Sequence, residues 1–389
     1  MRNGATEDPM PDTTDTSALA QRLDAAIDKA IAEQRIVGTV LLVRRNGEEI
    51  YRRAAGFIDR EAGLPMREDA IFRLASVTKP VIAATALAMI DAGRLGLDDS
   101  VTDHLPYFTP TWDGQPATIT IRQLLTHTSG LSYDPALLRA VGATGGMSGP
   151  IHPIEENIRR IGQMQLKFAP GTGWEYGVSI DVLAGVVGAI NSSSVQEAVE
   201  RYVTGPLGMA DTRYGVSDVS RLAVPYANTH DGPPVRMGDT TQGLNPDGTP
   251  GPVFAPSRIF NPLAPQSGGS GMASSGDDIM RLLEAVRAGG AGVLREETAR
   301  AALGNQIGDL PRTNPGDAGK RFGFLGAVLD DPAAAQSPAP RGTVEWGGVY
   351  GHNWFIDPVN GITLVSMSNT AYEGCNGPYR AEIRDAVYG

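Results

Sequence analysis

Ser76 and Lys79 stand three residues apart in Phe72-Arg-Leu-Ala-Ser-Val-Thr-Lys-Pro80, and their types point to nucleophilic catalysis. A serine hydroxyl is almost fully protonated at neutral pH and needs a base beside it before it can attack. The run that follows, Val81 to Ile90, is apolar with alanine at most of its gaps, and it reads as a helix stopped at Gly93. With Ser76 in the first turn, a spacing of three puts Lys79 on the same face, amine beside hydroxyl. First-turn N–H groups have no partner within the helix and can face developing negative charge. The chain holds four lysines against twenty serines, so chance supplies roughly 0.2 such pairs, and this is the single Ser-x-x-Lys in the sequence. Taken alone, the tetrapeptide also reads as an N-cap serine followed by a solvated lysine.

The elements around this stretch must position it. Leu19, Leu23, Ile27 and Ile31 recur at four-residue spacing, which predicts an amphipathic helix over 17–34. Two β-rich runs flank Arg45-Asn46-Gly47, and Asn-Gly between such runs predicts a tight hairpin. The middle of the chain carries little strand signal. Short helices are expected over 121–130, 155–167 and 179–190, with a loop over 134–153 and a capping box at Ser194-x-x-Glu197. Residues 226–266 are dense in proline and glycine and read as a cover over a cleft, with disorder as the alternative. A helix is expected over 277–288. The tail then turns β-rich over 322–329, 342–349, 353–357 and 362–368, before a last helix near 378–388.

Strands at both ends and helices between them imply an α/β (α+β) fold with one antiparallel sheet built from the two termini. The expected organisation is a disordered tail over 1–16, an α/β domain over 17–95 and 265–389, and a mainly helical insertion over 96–264. Ser76 falls at the junction of the two lobes, where a cleft is expected.

The net charge of −11 and the scarcity of lysine argue against a nucleic-acid partner. No run approaches the ~20 apolar residues of a membrane span, and the polar N-terminus lacks the apolar core of a signal peptide. Cys375 is alone, so no internal disulfide forms, as in a reducing cytoplasm. Five scattered histidines make no metal motif. The expectation is a cytoplasmic protein with no metal or cofactor and no membrane partner. The oligomeric state is not legible.

Five motifs in order resemble the serine β-lactamase and penicillin-binding fold: Ser76-Val-Thr-Lys79, His127-Thr-Ser-Gly-Leu131, Tyr176 after Pro170-Gly-Thr-Gly-Trp174, Pro206-Leu-Gly-Met209 and Trp346-Gly-Gly348. Within that fold the chain is most similar to the family VIII carboxylesterases, through Phe72–Pro80, Gly268-Gly-Ser-Gly-Met272, Trp346-Gly-Gly-Val-Tyr-Gly-His352 and Asn369-Thr-Ala-Tyr-Glu-Gly374. The resemblance covers nearly everything from residue 17 onward. It implies an acyl-enzyme on Ser76, with Lys79 and Tyr176 in place of a catalytic histidine. Free lysine and tyrosine side chains both titrate near ~10, so which of the two acts as base is left open. The resemblance further implies an oxyanion hole from the N–H groups of Ser76 and Val349, with Val349 on a strand. It places Tyr133, Trp346, Gly347 and Gly348 at the substrate; Tyr133 would bond Lys79 or the substrate, or simply line the cleft. His127 and His352 read as structural.

Two departures set the expected substrate. Trp346-Gly-Gly replaces the Lys-Thr-Gly of the lactamases and removes a cation that would pair with a drug carboxylate. Tyr176-Gly-Val178 replaces Tyr-x-Asn and removes an amide. Both favour hydrolysis of neutral, short-to-medium acyl esters with little β-lactamase activity. Acyl transfer to an alcohol and amide or lactam hydrolysis are the alternatives on the same fold, and a non-catalytic binding domain is disfavoured by the retained triad. No Gly-x-Ser-x-Gly pentapeptide supports the α/β-hydrolase fold.

Overall fold

The computed structural model describes residues 16–230, 232–245, 248–312 and 316–389. The tail expected over 1–16 lies outside the described residues, except that Thr16 opens the first helix. That helix, α1 (Thr16–Ala32), buries Leu19, Leu23, Ile27 and Ala30 on one stripe, as its four-residue spacing requires. The hairpin follows as β1 (Gly38–Arg45) and β2 (Glu48–Asp59). Its turn residues Asn46 and Gly47 both have positive φ, the geometry that Asn-Gly supplies at low cost.

The eight-stranded sheet joins the two chain ends. From the N-terminal side it takes β1, β2 and the short β3 (Leu64–Pro65). From the C-terminal side it takes β4 (Lys320–Phe322), β5 (Ala327–Leu329), β6 (Val344–Gly348), β7 (His352–Asp357) and β8 (Ile362–Ser368). The spatial order is β4-β5-β6-β7-β8-β1-β2-β3. The seam is the antiparallel pairing of β1 with β8, Thr39 opposite Ser368 and Arg45 opposite Ile362. Strand alternation splits the side chains cleanly between two cores. Leu41 and Val43 of β1 pack with α1 and the last helix, α5 (Pro378–Tyr388). Val40 and Leu42 face the other way, into the large core that also holds α2 (Thr78–Asp91), α3 (Ser179–Asn191) and α4 (Gly276–Arg287). That core runs unbroken across residue 96 and includes Val101, Leu124 and Val187.

Every residue of α2 from Thr78 to Met89 is buried, which explains why its sequence is apolar all round rather than amphipathic. Each large aliphatic side chain removed from water there contributes about 1.5–3 kcal/mol before entropy is counted. The middle of the chain differs from expectation in detail. The helix expected over 121–130 ends at Leu125, because His127 adopts φ +57° and turns the chain. The loop expected over 134–153 contains a helix, Pro135–Val141, started by the Asp134 cap and a proline in the first turn. The helix expected over 155–167 spans Ile154–Ile161. The capping box at Ser194 and Glu197 forms as read. The proline-rich segment over 226–266 carries two small two-stranded sheets, Tyr226–Ala227 with Val235–Arg236 and Thr241–Leu244 with Pro250–Phe254. Its Phe254 is buried with Ala75, Tyr350 and Tyr372, so it packs beside the segment that carries Ser76.

Candidate active site

A three-stranded sheet delivers Ser76. Ile71–Arg73 pairs antiparallel with Met272–Ser275, and the Leu74 N–H donates to the Met272 carbonyl at 2.9 Å. The chain then turns sharply. Ala75 takes φ +44°, a left-handed conformation that costs a non-glycine residue about 1 kcal/mol or more. Ser76 sits in a single 3₁₀ turn, Ala75–Val77, that runs straight into α2 at Thr78. It therefore precedes the α-helix by two residues rather than lying in its first turn. The spacing of three still brings the partners together, with Lys79 Nζ 3.2 Å from Ser76 Oγ.

Lys79 is 4% exposed and donates a second bond, 2.8 Å, to the Gly269 carbonyl. Tyr176 arrives from the segment before α3 and places its hydroxyl 2.8 Å from Ser76 Oγ. The ammonium lies 4.8 Å from the Tyr176 ring centre and 5.2 Å from that of Tyr133. Tyr133 thus meets Lys79 with its ring, not its hydroxyl, which bonds the Asp181 carboxylate at 3.4 Å. Burial, and then the nearby Asp181, push the Tyr133 phenol well above its ordinary range, so it stays neutral. Asp181 is itself buried on α3. It accepts from Ser267 Oγ and from the Gly269 N–H at 3.2 Å. Burial pushes its carboxyl up, and Lys79 opposes that shift. Asp181 and the Gly269 carbonyl are the site groups that sequence reasoning missed. A lone acid inside the apolar run 179–190 was the available signal for Asp181.

Strand β6 forms the opposite wall. A Cβ on Gly348 would lie 2.3 Å from the Leu74 carbonyl, so only glycine lets this strand approach the serine segment so closely. Trp346 shares that face by strand alternation. Its ring centre is 5.0 Å from that of Tyr176 and 5.2 Å from that of Phe322. Gly347 faces the other way, where a Cβ would meet the His352 carbonyl and Cys375 Sγ. Val349 lies in the turn just past β6 rather than on the strand, and packs with the cluster that contains Ala75.

Both nearby histidines hold backbone. His127 Nδ1 accepts from the Gly177 N–H at 3.3 Å, and its ring centre lies 4.9 Å from that of Tyr176 with the planes tilted by 52°. Burial, with Lys79 and Arg312 adding to it, holds its imidazole well below the usual range. His352 Nε2 bonds the Arg73 carbonyl at 2.8 Å, and burial lowers its imidazole to about 4. Each is neutral at pH 7. Among the described residues no group of three or more His, Cys, Asp or Glu side chains could hold a metal ion. Nor is any described helix long and apolar enough to cross a membrane.

A serine hydroxyl bonded to a buried amine and a phenol, beside a strand in close approach, defines a class before it defines a protein. Residues 23–388 match the beta-lactamase family, and the chain belongs to it. Esterase EstB of Burkholderia gladioli is 47% identical over 99% of both chains. The solved structure of EstCE1, described as a hydrolase with promiscuous acyltransferase activity, superposes with a TM-score of 0.90. It is 39% identical, covering 96% of this chain and 99% of that one. Simvastatin synthase (LovD) from Aspergillus terreus, in a mutant form, shares the fold with a TM-score of 0.73 at 22% identity over 97% and 98%.

Proposed function

We infer that this serine carboxylesterase cleaves short-to-medium acyl esters whose alcohol side is neutral and apolar, through an acyl-enzyme on Ser76. The observation that carries the reading is the hydroxyl of Ser76 within hydrogen-bond reach of both Lys79 and Tyr176, with Trp346 beside them. Ser76 Oγ attacks the carbonyl carbon while its proton passes to the Lys79–Tyr176 pair. The oxyanion accepts from the N–H groups of Ser76 and Val349; the close approach of Gly348 to Leu74 supports that placement. Collapse expels the alkoxide, which takes the proton back and leaves as the alcohol. Water then attacks the acyl-serine in the reverse sense, giving the carboxylic acid and free Ser76.

An anionic lactam gains no cation at Trp346, so lactamase activity is low. A 4-nitrophenyl ester series from acetate to decanoate, run beside a chromogenic cephalosporin, tests this: short and medium esters should turn over and the cephalosporin hardly at all. Cephalosporin turnover equal to that of the best ester overturns the assignment. The promiscuous acyltransferase activity ascribed to EstCE1 favours a second outcome for the same intermediate, transfer to an added alcohol, seen as ester product in water–alcohol mixtures. The small-molecule ester is the proposed partner. The single cysteine, Cys375, supports a cytoplasmic location.

A further inference from the structure

Three segments of the site continue into a small cavity that the chemistry above does not use. Arg73 precedes Ser76 by three residues, Ser270 follows the Gly269 carbonyl that holds Lys79, and Tyr350 follows Val349. All three line the cavity, with Met147, Met272 and Arg258. Two guanidinium groups thus face one space, and neither has a carboxylate partner among the described residues. Arg73 Nε donates to the Pro256 carbonyl at 2.9 Å and Nη1 to the Ala223 carbonyl at 3.2 Å. Arg258 Nη1 and Nη2 donate to the Gly149 and Pro150 carbonyls at 3.0 and 3.2 Å, while its buried Nε has no partner. Burial lowers both groups from the usual arginine range, and no carboxylate among the described residues offsets it. A partly buried guanidinium without a counter-ion favours an anion, and an arginine fork fits a carboxylate.

We propose that this cavity is a carboxylate subsite that receives the far end of an acyl chain, making half-esters of dicarboxylic acids preferred substrates. The direction rests on the reading given under Proposed function. The leaving oxygen must be reached by the Lys79–Tyr176 pair, which places the alcohol on the Tyr176–Trp346 flank. The acyl chain then runs the other way, past Val349 toward Tyr350 and the two arginines. The apolar walls at Met147 and Met272 suit the methylenes, and the arginines suit the terminal charge.

The test compares mono-4-nitrophenyl glutarate with 4-nitrophenyl pentanoate, on wild type, Arg258→Gln and Arg258→Lys. Wild type should favour the half-ester in kcat/KM by about tenfold or more, the worth of one charge-assisted contact. Arg258→Gln should erase most of that ratio, and Arg258→Lys should keep part of it. An equal ratio in wild type and Arg258→Gln overturns the subsite. Thermal protection by free glutarate that depends on Arg258, without a half-ester preference, overturns the acyl-chain assignment and gives the cavity to a free acid. Turnover of neither ester overturns the esterase reading itself, and this inference with it.

Discussion

Lys79 and Tyr176 each touch the same oxygen, and the lysine lies against the tyrosine ring as well, so they are expected to move one proton together. Lys79→Ala and Tyr176→Phe should each lower kcat by at least about 10³, and the double variant should lose little more, because residues that act as a unit are not additive. Steady-state kinetics on one neutral ester decide it; multiplicative losses contradict the shared role. Trp346 makes a separate prediction. Trp346→Lys returns a cation to β6 and should raise the ratio of cephalosporin to neutral-ester kcat/KM by one to two powers of ten. An unchanged ratio in a folded variant means that Trp346 does not touch substrate. Lys79 stands out because it belongs to the single Ser-x-x-Lys of the chain, whereas Tyr176 and Trp346 are singled out only by the family resemblance. Asp181 was not legible, since its role depends on which helix face meets Tyr133 and Ser267, 48 and 86 residues away in sequence.

At the level of elements, the site depends on two backbone segments that almost collide. Gly348→Ala puts a methyl group where the Leu74 carbonyl stands and must push β6 away from the serine turn. Activity should fall by about 10²–10³, the usual loss for one oxyanion donor, while the far-ultraviolet circular dichroism stays close to wild type. Wild-type rates would mean that β6 does not set the oxyanion position. Much of this layer could be read beforehand: the Asn46-Gly47 hairpin, the capping box at Ser194 and the strands after residue 342 followed from local chemistry. The strand expected over 322–329 is instead two, β4 and β5, folded back on each other. What failed were boundaries fixed by tertiary contacts. His127 turns the chain with a positive φ and locks it through Gly177, and no local propensity predicts that. The helix at Pro135–Val141 was legible from Asp134-Pro135 but was outweighed by the glycines that follow it.

For the whole molecule, the sheet is closed by chain ends more than 300 residues apart, and charge helps to hold its far edge. Glu345 on β6 pairs with Lys320 at 2.7 Å and with Arg380 at 2.9 Å. Burial pushes its carboxyl up, but Arg380 and Lys320 outweigh burial and bring it down to about 2. A carboxyl lowered on folding stabilises the protein above its unfolded pKa and loses that contribution as pH falls through the folded value. The contribution is on the order of 3 kcal/mol at pH 7 and fades between about pH 5 and pH 2. Glu345→Gln should therefore lower Tm at pH 7 and flatten the fall in Tm toward pH 3; an unchanged slope in thermal melts contradicts the pairing. The sheet's shared origin in both termini was legible from the order of strand-rich segments. The continuous core on both sides of residue 96 was not, because sequence order separates what packing joins. The account as a whole rests on one covalent bond. Incubation with a 4-nitrophenyl alkylphosphonate, followed by intact-mass measurement and peptide mapping, tests it most directly. One phosphonyl group per chain, on the peptide that carries Ser76 and absent from Ser76→Ala, is the result predicted. Stoichiometric labelling of another serine, with Ser76→Ala still fully active on esters, would contradict it.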